Sequence, residues 1–523
     1  MIMIIPIFLA IAGLAVIFTR RRYKALNDRE ASRVVVKGDT YSEIVEKEPT
    51  TTIEIQSVET VRRCCIIGAS RVGAVTGIVL ASQNPDVQFC IVDSDARRIA
   101  SWKSDTLPIF EPGLDDIFFD DQCIAITDEN IPTSDTLQIE KIAHAQRRRK
   151  LSNLTFSTDI HTSVAAADLI FLCLEMEPGL VLDDPKSNFH YLDPTLQVIA
   201  HGCTGHKILV QRAPAPYGAV QYIKNRLKDL SPPQPLTTSF TILTNPSFTL
   251  PGRTISDMIN PTRVIIGHIY GSDSSPASLS ALKTLYTPWI PDDRIVTMDA
   301  WSAELGRIAS KAVLAQQMAA VDSVGMLCEG GKASMGSFGW MLGLGVEEVG
   351  IGSAELRGEI RCLVFLARGL GFDEVAEYWG AVLRVQEAQC RRVAGRVVRS
   401  LAGDEEKRVA VVGVMEGEEM TVVFVRELKK AGVLVRVVDD VMGKEQVESV
   451  LRGVDGQLDG IEVADSLEAA CQGCGAVVFH GARGVSHEVW QRIFGQMKAP
   501  MGVLAMGNRV DRVQMQQLGF VLL

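Results

Sequence analysis

Ile66-Ile67-Gly68-Ala69-Ser70-Arg71-Val72-Gly73 is the stretch on which the fold turns. It closes an apolar run that starts at Arg62, and a helical pattern follows from Val72 to Ser82. A strand, a glycine-bearing turn and a helix in that order make a cradle for pyrophosphate, because glycines let backbone amides at a helix N-terminus approach it. The G-x-G-x-x-G pattern is worn: Gly68 and Gly73 are present, but Ser70 takes the middle position. The backbone comes closest to the phosphates there, so the Ser70 Cβ is a steric burden that Arg71 offsets in part through its charge. A second strand, Val87 to Val92, ends at Asp93, at the distance expected of the acid that takes the ribose hydroxyls. Gly68, Ser70, Arg71, Val72, Gly73 and Asp93 are thus the candidate cofactor residues, and NAD, bound weakly because of Ser70, is the cofactor they suggest.

Working outward, further strands are predicted at Leu169–Leu174, Lys207–Val210, Phe240–Leu243 and Arg263–Ile266. Strands alternating with helical stretches imply a parallel, doubly wound sheet. Residues 119–150 interrupt it as an inserted surface loop, and the tip Arg147-Arg148-Arg149-Lys150 reads as a solvated face. From Trp301 to Cys328, and again from Phe372 to Leu401, the pattern is helical. The strand theme resumes at Lys407–Gly413, Val433–Asp439, Gly475–Phe479 and Met501–Leu504, without a second glycine-rich phosphate turn.

At 523 residues the chain is too long for one core. A formal charge of −10 argues against a nucleic-acid partner, which needs a basic footprint. Met1 to Phe18 carries no charge and is followed at once by Arg20, Arg21, Arg22 and Lys24. That order of apolar core and basic cluster suggests a signal anchor with the body in the cytosol; a cleaved signal or a peripheral hairpin are the alternatives. Eleven cysteines, odd in number and mostly in apolar runs, look like reduced core residues. Cys471-Gln472-Gly473-Cys474 is a lone C-x-x-C with no second pair, so no metal site is expected.

Several longer segments resemble the UDP-glucose 6-dehydrogenase family of nucleotide-sugar dehydrogenases: Ile91–Ile99, Thr106-Leu-Pro-Ile-Phe-Glu-Pro-Gly-Leu114, Leu154–Asp159, Asn245-Pro-Ser-Phe248, Asn260–Gly267, Trp301-Ser-Ala-Glu-Leu305, Ala312–Gln316 and Cys362–Leu366. The resemblance runs in order over residues 61–523. It implies an α/β chain of two Rossmann-like doubly wound domains joined by a central helical domain, here with an N-terminal transmembrane helix. The implied boundaries are anchor 1–19, linker 20–60, NAD-binding domain 61–290, helical dimerisation domain 291–402 and UDP-sugar-binding-like domain 403–523. Such enzymes oxidise a sugar C6 alcohol to a carboxylate in two NAD-dependent steps. A cysteine thiolate traps the aldehyde, a lysine stabilises the oxyanion, and a glutamate and an aspartate handle water and protons.

Carried over position by position, the resemblance finds most of those groups replaced. The nucleophile's loop resembles Gly350–Glu359; the cysteine position is Glu355 and the aspartate position Glu359. The lysine position is Arg307, the asparagine one turn later is Lys311, and the glutamate of N-P-E-F is Ser247. The family threonine falls near Pro178, and Gly413-Val-Met-Glu-Gly417 lacks the C-terminal domain's lysine. Cys362, two helical turns beyond Glu355, is too far along the axis to reach the same carbon. Either Glu355 pairs with Arg307 or Lys311 and fills the pocket, or the three are unrelated surface charges. The resemblance therefore implies a catalytically degenerate, membrane-anchored relative with residual NAD or UDP-sugar binding and a regulatory or scaffolding role, as a homo- or hetero-oligomer with a family member. The alternatives are an active NAD-dependent UDP-glucose 6-dehydrogenase or single-step sugar alcohol dehydrogenase, and a membrane-bound sensor of the dinucleotide or sugar nucleotide.

Overall fold

The computed structural model describes residues 60–109, 111–120, 148–175, 187–230, 238–249, 252–269, 275–331, 354–403, 406–413, 419–439, 443–455, 460–480, 487–499, 502–506 and 512–522. All of them belong to one compact unit, Ile55–Leu523. The expected anchor, Pro178, residues 350–353 and the 414–417 loop lie outside the described residues. Among those described, no helix is long and apolar enough to cross a membrane.

The first half carries β1 (Arg63–Ile67), α1 (Arg71–Gln83), β2 (Gln88–Val92), α2 (Ala96–Trp102), α3 (Leu114–Phe118), β3 (Phe119–Asp120), β4 (Arg148–Arg149), β5 (Leu154–Ser157), α4 (Ile160–Ala166), β6 (Leu169–Leu172), α5 (Asp193–Gly202), β7 (Gly205–Gln211), α6 (Ala219–Leu230), β8 (Thr238–Thr244), α7 (Thr254–Ile259), β9 (Val264–His268), α8 (Pro276–Thr284) and β10 (Ile295–Asp299). Eight of these strands form one sheet in the order β10-β9-β8-β7-β6-β1-β2-β5. Its pairings are parallel except β8 with β9. Alternation along each strand splits the apolar residues between two faces. Cys64, Ile66, Phe89, Ile91, Leu169 and Phe171 pack on one side, and Cys65, Ile67, Val92, Ile170 and Leu172 on the other. Burial on both faces is why these strands read as unbroken apolar runs. It also explains cysteines in strands: Cys64, Cys65 and Cys173 are buried free thiols.

Three helices follow: α9 (Ala300–Gly330), α10 (Ala354–Gly369) and α11 (Asp373–Ser400). The Asp299 carboxylate accepts from Ser302 N at 2.8 Å and starts α9. Small residues on α9 (Ala312, Ala315, Ala319) meet Leu356, Ile360 and Leu363 of α10 and Val382 of α11. The chain then builds β11 (Arg408–Val412), α12 (Glu419–Lys430), β12 (Leu434–Val438), α13 (Lys444–Asp455), β13 (Ile461–Val463), α14 (Leu467–Cys471), β14 (Ala476–His480), α15 (His487–Gln496), β15 (Gly502–Met506), α16 (Arg512–Leu518) and β16 (Val521–Leu522). The second sheet is parallel, in the order β13-β12-β11-β14-β15-β16.

The basic tip of the insertion is exposed at Arg149 and Lys150, as expected of a solvated face, and its side chains also reach back to the body. β3 and β4 pair as a short antiparallel ribbon. Arg149 lies 5.4 Å over the Phe118 ring and donates to Trp102 O at 3.3 Å. Lys150 Nζ donates to Asp116 O at 2.8 Å. The tip is tied down because an aromatic face and free carbonyls lie within reach of its long side chains.

Within the helices, Asp322 of α9 is 2% exposed, and its Oδ1 has no hydrogen-bond partner. Burial outweighs the attraction of Arg392 on α11 and pushes the carboxyl up to about 7. Below pH 3.8 the folded and unfolded states both hold the proton, so no penalty arises. The penalty grows as pH rises from 3.8 to about 7 and stays constant above. Asp322→Asn should therefore melt with wild type at pH 4 and above it at pH 8. The gain has an upper bound on the order of 4 kcal/mol. Melting curves at the two pH values test it; a variant less stable at pH 8 would refute the assignment.

Candidate functional site

The β1–α1 turn is wound as glycine demands. Gly68 has φ +104°, and a Cβ there would lie 2.5 Å from Cys173 O. A Cβ on Gly73 would lie 1.9 Å from Gly68 O. Ser70 stands at the N-cap of α1 in extended conformation but makes no capping bond, so no side-chain cap occupies the first-turn amides. Its Oγ is buried without a partner. Val72, in the first turn, is 7% exposed. Glycines where a Cβ would strike backbone, and a helix start without a side-chain cap, fit a bound diphosphate.

One expectation at this turn needs correction, and the Asp93 carboxylate gains partners of its own. The Arg71 charge is not free to offset Ser70. Its Nη1 donates to Thr254 Oγ1 at 3.2 Å and lies 3.7 Å from Glu111 Oε1. Glu111 is buried and also accepts from Gly252 N, Thr254 N and the Thr254 hydroxyl. Asp93 does close β2, but its oxygens are engaged within the chain. Oδ2 accepts from Ala69 N at 2.8 Å and from Arg98 Nη1 at 3.0 Å, and Oδ1 accepts from Asp95 N at 2.9 Å. The acid thus clamps the turn to the second strand, with the half-exposed Arg98 on its outer side. Trp102, which drew no notice in the sequence, adds a second clamp by donating from Nε1 to Ala69 O at 2.8 Å.

Of the degenerate positions, Arg307 of α9 and Glu359 of α10 are brought together. Ser247, Arg307, Lys311 and Glu359 are 3–5% exposed. The Arg307 guanidinium donates from Nη1 to Glu359 and from Nη2 to Ala215 O at 2.7 Å. Among the described residues its carboxylate partner is Glu359, one helical turn beyond Glu355 on α10. The Glu355 side chain lies outside those described. Ser247 Oγ sits 2.9 Å from Thr249 Oγ1, so its hydroxyl has a local partner.

Beside Arg307 lies a small cleft of about 10 Å³ lined by Gln211, Ala213, Ala215, Thr244, Glu304 and Arg307 among others. Its interior takes about one water. Glu304 is a residue the sequence reading passed over, although it stands in the quoted Trp301–Leu305 block. Its two oxygens accept from Gly218 N and Val220 N, each at 2.8 Å, and so cap α6. Burial pushes this carboxyl up to about 6, against the pull of those two bonds and of Arg307.

Cys362 follows Glu359 by about one turn on α10. Burial pushes its thiol up to about 12, Glu359 adds to the rise, and Arg307 opposes it. Both charges therefore reach the sulfur, yet it stays protonated at neutral pH. The Tyr191 hydroxyl, buried without a partner, feels Arg307 and Cys362, and burial holds its pKa well above the usual phenol range. In the second sheet, Cys474 donates from Sγ to Ala470 O at 3.1 Å, and burial pushes it up to about 11. Among the described residues no His, Cys, Asp and Glu side chains form a group able to hold a metal ion.

A parallel sheet wound on both faces, and entered through a turn that only glycine satisfies, is the architecture of dinucleotide-dependent dehydrogenases. The sequence matches the UDP-glucose/GDP-mannose dehydrogenase family, NAD binding domain, over residues 62–128 and 125–290. UDP-glucose 6-dehydrogenase 2 of Arabidopsis thaliana is 33% identical over 363 residues, covering 67% of this chain and 68% of that one. UDP-glucose 6-dehydrogenase 1 of rice (Oryza sativa subsp. japonica) is 29% identical over 496 residues, covering 88% and 96%. The structure of a UDP-glucose dehydrogenase from the archaeon Pyrobaculum islandicum superposes with a TM-score of 0.63 at 17% identity, over 87% of this chain and 96% of that one. The chain belongs to the UDP-glucose/GDP-mannose dehydrogenase family.

Proposed function

We propose that this family member keeps the dinucleotide turn, has lost the thiol-dependent second oxidation, and serves as a regulatory or scaffolding relative of active nucleotide-sugar dehydrogenases. One observation carries the reading. The residue at the oxyanion-stabilising lysine's position, Arg307, is buried and committed to Glu359 and to a backbone carbonyl, beside a cleft with room for about one water. A working site needs a cation that meets substrate and a thiolate beside it. Here the nearby thiol of Cys362 is held protonated by burial.

When bound, NAD would supply a hydride acceptor. The residues that would hold it are Gly68, Ser70, Val72 and Gly73 at its phosphates, while Asp93 and Arg98 border the ribose position. A UDP-sugar is the second ligand of this proposal. Attachment to a membrane through residues 1–19 and pairing through the helical region belong to it as well. Trp301, Leu305 and Val313, exposed at four- and eight-residue spacing along α9, support pairing with a homologue or a second copy.

The rival reading, a dehydrogenase performing only the alcohol-to-aldehyde step, draws on Glu304. Its carboxyl titrates near 6 and lines the same cleft as Arg307, so a base stands near a cation. Purified protein mixed with UDP-glucose and NAD, followed by absorbance of the reduced cofactor and by melting temperature, separates the two. A melting temperature raised by NAD without reduced cofactor is the expected result. Turnover above background would establish the rival, and UDP-glucuronate among the products would overturn the loss of the second step.

A further inference from the structure

We propose that Arg212 is the fixed counter-charge for the dinucleotide's pyrophosphate, a positioning residue acting from beneath the Gly68–Gly73 turn. The inference rests on the reading of that turn as a dinucleotide site.

Arg212 directly follows β7, at the carboxyl ends of the strands, where ligands of doubly wound sheets bind. It is 5% exposed. Its Nε donates to the Thr76 hydroxyl on α1 at 3.0 Å, and its Nη1 donates to Asn245 O at 3.1 Å and to Asn245 Oδ1 at 2.6 Å. Asn245 is itself fixed, donating from Nδ2 to Ile265 O at 2.8 Å and accepting from the Tyr286 hydroxyl. Every partner of Arg212 among the described residues is a neutral oxygen. Other buried arginines behave differently: Arg307 meets Glu359, and Arg357 meets Glu387 at 2.9 Å. A buried cation without a carboxylate is costly, and natural proteins rarely leave one uncompensated.

The missing anion has a place to sit. The Arg212 charge is felt at Cys173, whose carbonyl and Cβ back Gly68 and Gly73. Among the described residues the acids of this neighbourhood are engaged elsewhere. Asp93 is engaged by Ala69 N, Asp95 N and Arg98. Glu175 is exposed and shares its charge between Cys173 and Arg98. A diphosphate on the α1 amides brings about two negative charges to the turn and supplies the compensation that the folded chain lacks.

Arg212→Met and Arg212→Lys test this by calorimetric titration with NADH, ADP and adenosine, together with ligand-free melting curves. Arg212→Met should weaken NADH and ADP at least tenfold, leave adenosine within twofold, and flatten the salt dependence of ADP binding. Arg212→Lys, which keeps the charge, should retain ADP binding within about threefold of wild type. Ligand-free Arg212→Met should melt at or above wild type, because an uncompensated charge has gone. Failure of that variant to fold would overturn the inference, since the charge would then be compensated within the chain. Equal loss for adenosine and ADP would overturn it too, as a purely structural role. Wild type blind to both NADH and ADP would remove the dinucleotide reading and this inference with it. Wild type that binds NADH no better than Arg212→Met would overturn the inference alone.

Discussion

Glu359→Ala is expected to lower the free energy of unfolding by about 3–5 kcal/mol. The carboxylate lies against the Arg307 guanidinium, and both side chains are about 95% buried. Removing the acid leaves a cation in the core with Ala215 O, and among the described residues the nearby carboxylate is Glu304, which is already bound to Gly218 N and Val220 N. Arg307→Ala should cost a similar amount, since it strands Glu359. The double change Arg307→Met with Glu359→Leu should recover most of either loss, because replacing a buried pair by apolar side chains of similar volume is often neutral. Urea unfolding is the measurement, read as a midpoint shift at constant slope. The outcome bears on function as well. A pair that opens to admit substrate would be partly solvated, and its rupture would cost under about 1 kcal/mol. A loss that small would show the site to be open and would argue for the rival reading.

The same pair shows what the sequence could and could not reveal. The charged replacements at 307, 311, 355 and 359 are visible in the sequence. Partner choice is not. Glu355 and Glu359 differ by about one helical turn, and which of them meets Arg307 depends on the phase of α10 against α9. Twenty-three residues separate those helices, so no local pattern encodes that phase. Strands were legible wherever both faces are buried, as in Cys64–Ile67 and Val409–Val412. β13, Ile461–Val463, leaves its middle residue exposed and carries no apolar run, so it was missed at the edge of its sheet. The partners of Asp93 and Arg71 escaped notice because they come from α2 and from Glu111 and Thr254, contacts that only the folded chain makes.

Gly73→Ala is expected to be the most damaging single methyl in the first sheet. The added carbon would sit 1.9 Å from Gly68 O and 2.9 Å from Cys173 Cβ. Neither neighbour is the far end of a flexible side chain, so α1 has to shift away from β1 and β6 as a whole. Overpacking usually costs about 1–3 kcal/mol, and a clash against buried backbone belongs in the tail above about 4 kcal/mol. NADH binding should disappear with it, because the same shift withdraws the first-turn amides. Two other glycines calibrate the argument. At Gly77 a Cβ would meet Ile66 Cδ1 and Ile91 Cδ1, each at 2.7 Å, which are side-chain ends that can turn aside; about 1–2 kcal/mol is expected. At Gly306, on the exposed side of α9, nothing lies within 4 Å, and alanine should stabilise by about 0.5–1 kcal/mol through helix propensity. Thermal unfolding of the three variants should rank them in that order. Should Gly73→Ala melt beside Gly306→Ala, the chain would not be wound at residues 68–73 as described, and the case for a phosphate cradle there would fall with it.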